Sequence, residues 1–519
     1  MIALPQSKTL AAFAAFAVLA APVAGRPAIL EPTARTQSGL VQGRRTHDAD
    51  VFKDIPYAAA PVGPLRWKPP QPAQAWAGVR AADQFGAACL QPLSTAGAPN
   101  FGGYAGPVSE NCLTLNVWAP RGARHAPVMI WIHGGGHRFG GSSMALYDGA
   151  AFARDGVVLV SFNYRLGGLG YFAHPALTRE AGPTGPLGDY GLMDQIAALQ
   201  WVRRNIAAFG GDPRNVTVFG QSSSAIDVQA LMAIPAAARL FEKAIVESGG
   251  SWTTPVSLGE RETDGIKLAA NTGLGPTASV TALRAAPASA FLDPSYSFDF
   301  EPFIDGRLVT ETSTEAFARG RVPAKPLVIG SNSFEGAVAQ GFAGLTELAA
   351  KLGGLYPNNG QGDAALRALD GDRFFGAPSR WVAARASAGA RTYLYRFSYV
   401  PERERATLPG APHGFETPLV FDSWDRLPAD MLKAFSGSAS GPTAQDRAMT
   451  ALMHSCWVSF ARTGRPSCPG AQSWPAYSAA SDRLMDLNVE PRVLSHVRKP
   501  QYDALEAAVL PDLLKAPDR

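Results

Sequence analysis

Val216-Thr217-Val218-Phe219-Gly220-Gln221-Ser222-Ser223-Ser224-Ala225 is the stretch on which the fold turns. A short β-branched apolar run reads as a buried strand, and the apolar run Ile226 to Ile234 that follows the serines reads as a helix. A serine on so sharp a strand-to-helix turn has its hydroxyl pushed clear of the sheet, and the next backbone N–H can point at an oxyanion. The neighbours must be small for steric reasons. The usual pattern is G-x-S-x-G, and here Ser224 occupies the second glycine position, so a serine-rich helix cap is the competing reading of these residues.

Upstream, Leu192, Ile196, Leu199, Val202 and Ile206 recur at spacings of three and four, an apolar stripe on a helix that leads into the strand through the turn Gly210-Gly211-Asp212-Pro213. Further buried strands are expected at Val128 to Ile132, Val157 to Phe162, Lys243 to Val246, Leu327 to Ile329 and Thr392 to Phe397. Strands joined by helical crossovers make a mainly parallel α/β sheet, whose ligands sit at the carboxyl ends of the strands.

Those ends carry chemistry. Val128 to Ile132 runs into His133-Gly134-Gly135-Gly136, where consecutive glycines let backbone N–H groups converge on one point. A nucleophilic serine needs a base, and the base an orienting carboxylate. Of the histidines after Ser222, His413 lies in the glycine-flanked loop Gly410-Ala411-Pro412-His413-Gly414, whereas His454 falls in the helical-looking Met449 to Phe460 and reads as a packed or surface residue. Glu335, in Ser331-Asn332-Ser333-Phe334-Glu335-Gly336 just past Leu327 to Ile329, is the carboxylate candidate.

Composition narrows the class. The chain of 519 residues carries 47 basic and 43 acidic side chains, a net charge of +4, with no block of five like charges, which argues against a nucleic-acid-binding surface. Charged residues make up 17% and hydrophobic ones 46%, enough apolar material for a large core and too much for a disordered chain. Lys8, the uncharged run Leu10 to Leu19 and the small residues Val23, Ala24 and Gly25 before Arg26 read as a secretory signal peptide over residues 1–25, cleaved near residue 25. No later segment reaches the roughly eighteen apolar residues of a membrane span. In an exported chain four cysteines are expected to pair, locally as Cys89 with Cys112 and Cys456 with Cys468; four free buried thiols are the alternative.

Taken together the segments resemble the type-B carboxylesterases, the cholinesterase-like branch of the α/β-hydrolases. The matching stretches are Phe52 to Ala58, Pro61 to Trp67, Ser109 to Trp118, Asn163 to Gly170, Gly191 to Trp201, Asn205 to Gly220, Glu247 to Gly249, Ser331 to Gly336, Gly410 to Phe421 and Phe460 to Pro466. The resemblance implies an α/β-hydrolase fold with a large, mainly parallel central sheet flanked by helices and long insertions, in a single domain over residues 26–519. It implies Ser222 as nucleophile, His413 as general base and acid, and Glu335 as the orienting carboxylate. Gly135, Gly136 and the backbone N–H of Ser223 become the oxyanion hole, Ser248 a serine near His413, and Cys89 with Cys112 the family's first disulfide. The implied protein is a secreted or periplasmic serine esterase of small-molecule esters, working through an acyl-enzyme without metal or organic cofactor. A catalytically silent binding or adhesion protein is the alternative, against which the intact triad argues.

Three departures from the family pattern stand out. The elbow reads G-Q-S-S-S, Asn111 precedes Cys112 where Asp is usual, and Asp189 stands before Tyr190-Gly191 where Asn is common. A neutral Gln221 is expected to leave His413 usable as a base to lower pH than a glutamate there would. Ser224 adds a side chain where helix and strand pack closely, and Asn111 and Asp189 are expected to bring structural adjustment only. Phe139, Trp252, Phe342 and Phe415 are candidates to line the substrate pocket.

Overall fold

A computed structural model describes residue 1 and residues 31–94, 99–100, 103–250, 252–293, 298–339 and 344–515. Residues 2–25 of the expected signal peptide and Phe342 lie outside the described residues. Eleven described strands form one sheet: β1 (Arg44–Arg45), β2 (Ala49–Pro56), β3 (Thr114–Pro120), β4 (Ala126–Ile132), β5 (Val158–Phe162), β6 (Gly211–Gln221), β7 (Lys243–Glu247), β8 (Leu327–Asn332), β9 (Thr392–Phe397), β10 (Arg483–Leu487) and β11 (Arg492–Ser495). Their spatial order is β11-β10-β9-β8-β7-β6-β4-β5-β3-β2-β1. The seven strands from β10 to β5 are parallel, and antiparallel pairs close both edges. All six expected strands lie in that parallel block.

Alternation within the strands explains why they read as continuous apolar runs. Val128, Ile130 and Ile132 of β4 join one buried cluster with Val216, Val218 and Val246. Met129 and Trp131, on the opposite face, join another with Phe219, Ile245 and Val328. Both faces of the sheet are covered, so each strand must be apolar throughout.

The helix Tyr190–Asn205 buries Leu192, Leu199 and Val202, as the stripe requires. One expectation needs correction. The turn foreseen at Gly210 to Pro213 narrows to a hinge at Gly210 (φ 82°), because β6 already begins at Gly211 and pairs with Ala126 of β4. The stretch is an irregularity inside the strand, with the register slipping between Gly211 and Val216. Cys89 is bonded to Cys112 and Cys456 to Cys468, with Cα–Cα distances of 5.0 and 4.7 Å. No described helix is long and apolar enough to cross a membrane.

Candidate active site

β6 ends at Gln221, and Ser222 follows with φ 61° and ψ −130°, a left-handed conformation that non-glycine residues rarely adopt. Its N–H donates to the Glu247 carbonyl at 2.9 Å, and the helix Ser223–Ala233 begins at the next residue. The surroundings are tight enough to dictate glycine. A Cβ at position 220 would lie 3.0 Å from Ser224, and one at position 134 would lie 2.6 Å from the Gln221 carbonyl. Ser224 is fully buried, and its hydroxyl donates to the His133 carbonyl, which also accepts from Tyr164 Oη at 2.8 Å. The extra side chain at the elbow therefore binds the end of β4.

From β4 the chain continues through Gly135 (φ 118°) and Gly136 (φ 62°). A Cβ at position 135 would fall 2.4 Å from the Phe139 carbonyl, while position 136 faces open space. This loop is tied to the elbow helix twice. The His137 N–H donates to Ser223 Oγ at 3.2 Å, so the Ser223 side chain has a role besides its backbone. His137 Nε2 lies 3.0 Å from Asp227 Oδ1, and Gln195 Nε2 donates to Asp227 Oδ2 at 2.5 Å. Burial pulls the His137 imidazole down, but Asp227 outweighs it and leaves the ring above its ordinary value. His133, buried without a carboxylate partner, is pushed down to about 4. The residues of the His137–Asp227 pair are ninety positions apart, and sequence reasoning missed it.

His413 and Glu335 are brought together. His413 Nδ1 is 2.5 Å from Glu335 Oε2, and Glu335 Oε1 accepts the Asn332 N–H at 2.6 Å, which fixes the carboxylate at the end of β8. The other ring nitrogen, Nε2, faces Gln221 Nε2 at 3.0 Å. No hydrogen bond joins Ser222 to His413 among the described residues. In the neutral ring a proton on Nδ1 directed at Glu335 leaves the lone pair on Nε2, where the Gln221 amide is placed to donate. Burial lowers the His413 pKa, but Glu335 first, then Glu416 and Asp370, outweigh it and leave the pKa above 6.5. Phe375 closes one side of the ring, with centroids 5.0 Å apart.

Glu416, three residues past His413, is another buried acid that sequence reasoning did not single out. It accepts from Asn332 Nδ2 at 2.5 Å, and burial followed by the nearby Glu335 pushes it up to about 7. Ser248 is buried with φ 53°, and its hydroxyl has no partner among the described residues. His454 is packed, its ring 4.6 Å from Phe152.

A cavity of about 460 Å³ opens above Ser222, lined among others by Gly136, Ser248, Trp252, Arg373 and Phe374. Of the aromatic candidates, Trp252 lines it, Phe139 backs Gly135, and Phe415 packs on Phe435 with centroids 5.4 Å apart. Asn111 is exposed. Asp189 is fully buried, accepting the Phe303 N–H at 3.1 Å through Oδ1, and burial followed by Asp305 raises its carboxyl well above the ordinary range.

The family model described as "Carboxylesterase family" matches residues 30–350 and 356–505. The chain is 37% identical to the fumonisin B1 esterase of Sphingopyxis macrogoltabida over 484 residues, covering 88% of this chain and 87% of that protein. It is 35% identical to the para-nitrobenzyl esterase of Bacillus subtilis (strain 168) over 487 residues, covering 88% and 94%. A solved thermophilic PNB esterase superposes with a TM-score of 0.81 at 31% identity, over 92% of this chain and 100% of that one. With an α/β-hydrolase sheet, a serine elbow and this similarity over most of its length, the chain belongs to the carboxylesterase family and is a serine hydrolase of carboxylic ester bonds.

Proposed function

We propose that Ser222, His413 and Glu335 form the catalytic triad of an exported carboxylesterase that works through an acyl-enzyme. His413 Nε2 takes the proton of Ser222 Oγ as the oxygen attacks the ester carbonyl, then returns it to the departing alkoxide. Glu335 holds the Nδ1–H and stabilises the transient imidazolium. The N–H groups of Gly135, Gly136 and Ser223 donate to the tetrahedral oxyanion, where a single such donor is worth about a hundredfold or more in rate. A water activated by the same imidazole then hydrolyses the acyl-Ser222 ester and releases the acid. Gln221 has to release Nε2 for the first transfer.

The observation that carries this reading is the 2.5 Å contact between His413 Nδ1 and Glu335 Oε2, at the same sheet end as the Ser222 elbow. Export rests on the signal-like residues 1–25 and agrees with two disulfides in the mature chain. The test is release of 4-nitrophenol from short-chain esters by purified mature protein. Ser222→Ala should cut kcat/KM by at least about a thousandfold with the fold intact by circular dichroism. Retained turnover in that variant would sink the assignment.

A further inference from the structure

The chain turns unusually between the helices Asp363–Gly371 and Ala377–Ala386. A π-helical turn, Asp372–Gly376, delivers Arg373, Phe374 and Phe375 to the cavity wall and to His413. Such turns insert one residue into a helix and re-aim the side chains around it. Arg66 pairs with Glu110 at 2.7 Å, Arg165 with Asp194 at 2.7 Å and Arg138 with Asp293 at 2.9 Å, whereas the half-buried Arg307 and Arg396 have no carboxylate within 4.0 Å among the described residues. Arg373 belongs with the second group, but it stands on the cavity wall. Among the described residues no carboxylate lies within 4.0 Å of its guanidinium, which donates to the Trp252 carbonyl at 3.3 Å and sits over the Phe374 ring at 4.9 Å. Arg261, on the same cavity, is buried, donates to the Asp299 carbonyl, and leaves Nε without a partner. Asp370 acts on Arg373 from beyond contact distance, so the guanidinium on the cavity wall keeps part of its N–H fork available to a planar anion.

We propose that the ester accepted by this cavity carries a second, free carboxylate, which the Arg373 guanidinium binds while the scissile carbonyl lies at Ser222. The proposal rests on reading Ser222 as the nucleophile. The ligand chemistry is that of a dicarboxylic monoester or of an ester with a carboxylate on its alcohol, since a planar guanidinium pairs with a carboxylate through two parallel N–H···O bonds. Three acids share the cavity: Asp370, Glu301 and the exposed Asp299. Burial pushes Asp370 up to about 6 and Glu301 up to about 7, so near neutral pH Glu301 is partly neutral while Asp370 opposes an anion less only as the pH falls toward 6. The guanidinium already occupies the face of Phe374, which disfavours a cationic ligand at that ring.

The experiment compares mono-4-nitrophenyl glutarate with 4-nitrophenyl valerate, and an acetate ester of 4-hydroxybenzoate with phenyl acetate, so that the carboxylate sits on the acyl or the alcohol side. At least one charged ester should exceed its neutral partner about tenfold in kcat/KM, and Arg373→Gln should collapse that ratio through KM, with Arg373→Lys retaining part of it. A neutral preference in both pairs, or a ratio unchanged in Arg373→Gln, would overturn the proposal. Glutarate should also bind the wild-type protein by calorimetry and inhibit valerate hydrolysis competitively where glutaramide does not; absence of that binding would overturn it without any variant. Failure to hydrolyse every ester while glutarate still binds would sink the esterase reading and leave the carboxylate site standing.

Discussion

Gln221 Nε2 lies 3.0 Å from His413 Nε2, the ring nitrogen proposed to accept the proton of Ser222. An amide N–H donated to that atom favours the neutral imidazole, whereas the carboxylates on the other side of the ring favour the imidazolium and prevail. The base works only when neutral, so the acidic limb of the kcat/KM profile should lie above pH 6.5 in the wild type. Gln221→Glu replaces the donor by an anion and should move that limb further upward. A limb that stays in place in the folded variant would show that residue 221 does not act on His413.

Ser224→Gly separates packing from charge. It removes the hydroxyl that donates to the His133 carbonyl, but Tyr164 still donates there, so the loss should be about 1 kcal/mol of stability. The acidic limb should not move. Chemical denaturation and a pH profile on one preparation check both statements.

His137 and Asp227 form a buried ion pair between the glycine loop and the elbow helix. The folded His137 pKa is above the ordinary 6.5, so the pair contributes fully below about pH 6.5 and its contribution is lost as pH rises through the folded value. His137→Gln removes the cation beside a buried carboxylate, leaving Asp227 the Gln195 amide, and should cost about 3 kcal/mol at pH 6, with the Tm difference from wild type narrowing at higher pH. A difference independent of pH would contradict this.

Asp189 makes the opposite kind of contribution. Its carboxyl is held up in the folded state, so above about pH 4 the unfolded chain ionises while the folded one resists, and stability falls as pH rises. Asp189→Asn should match the wild type near pH 4 and exceed it by at least about 1 kcal/mol at pH 7, because Oδ2 has no partner among the described residues. Tm against pH for the two proteins decides it.

The parallel centre of the sheet was legible because both its faces are buried, which writes each strand as an unbroken apolar run. The edge strands were not. β2 is interrupted by a register shift between Phe52 and Ile55, and Arg44–Arg45 and Arg492–Ser495 are short and largely exposed. At the site, Ser222 and the glycines after His133 announce themselves through local steric need. Glu335 and His413 follow from their places past strand ends and from resemblance. The His137–Asp227 pair, the carboxyl of Glu416 and the π-helical turn under Arg373 depend on which elements meet in space, and nothing in the local sequence encodes that.

The most direct measurement is the site of covalent capture. Purified mature protein treated with an organophosphate and digested should yield one labelled peptide, with the adduct on Ser222 and its formation slowed in His413→Ala. An adduct on Ser223, Ser224 or any serine outside the elbow would contradict the account.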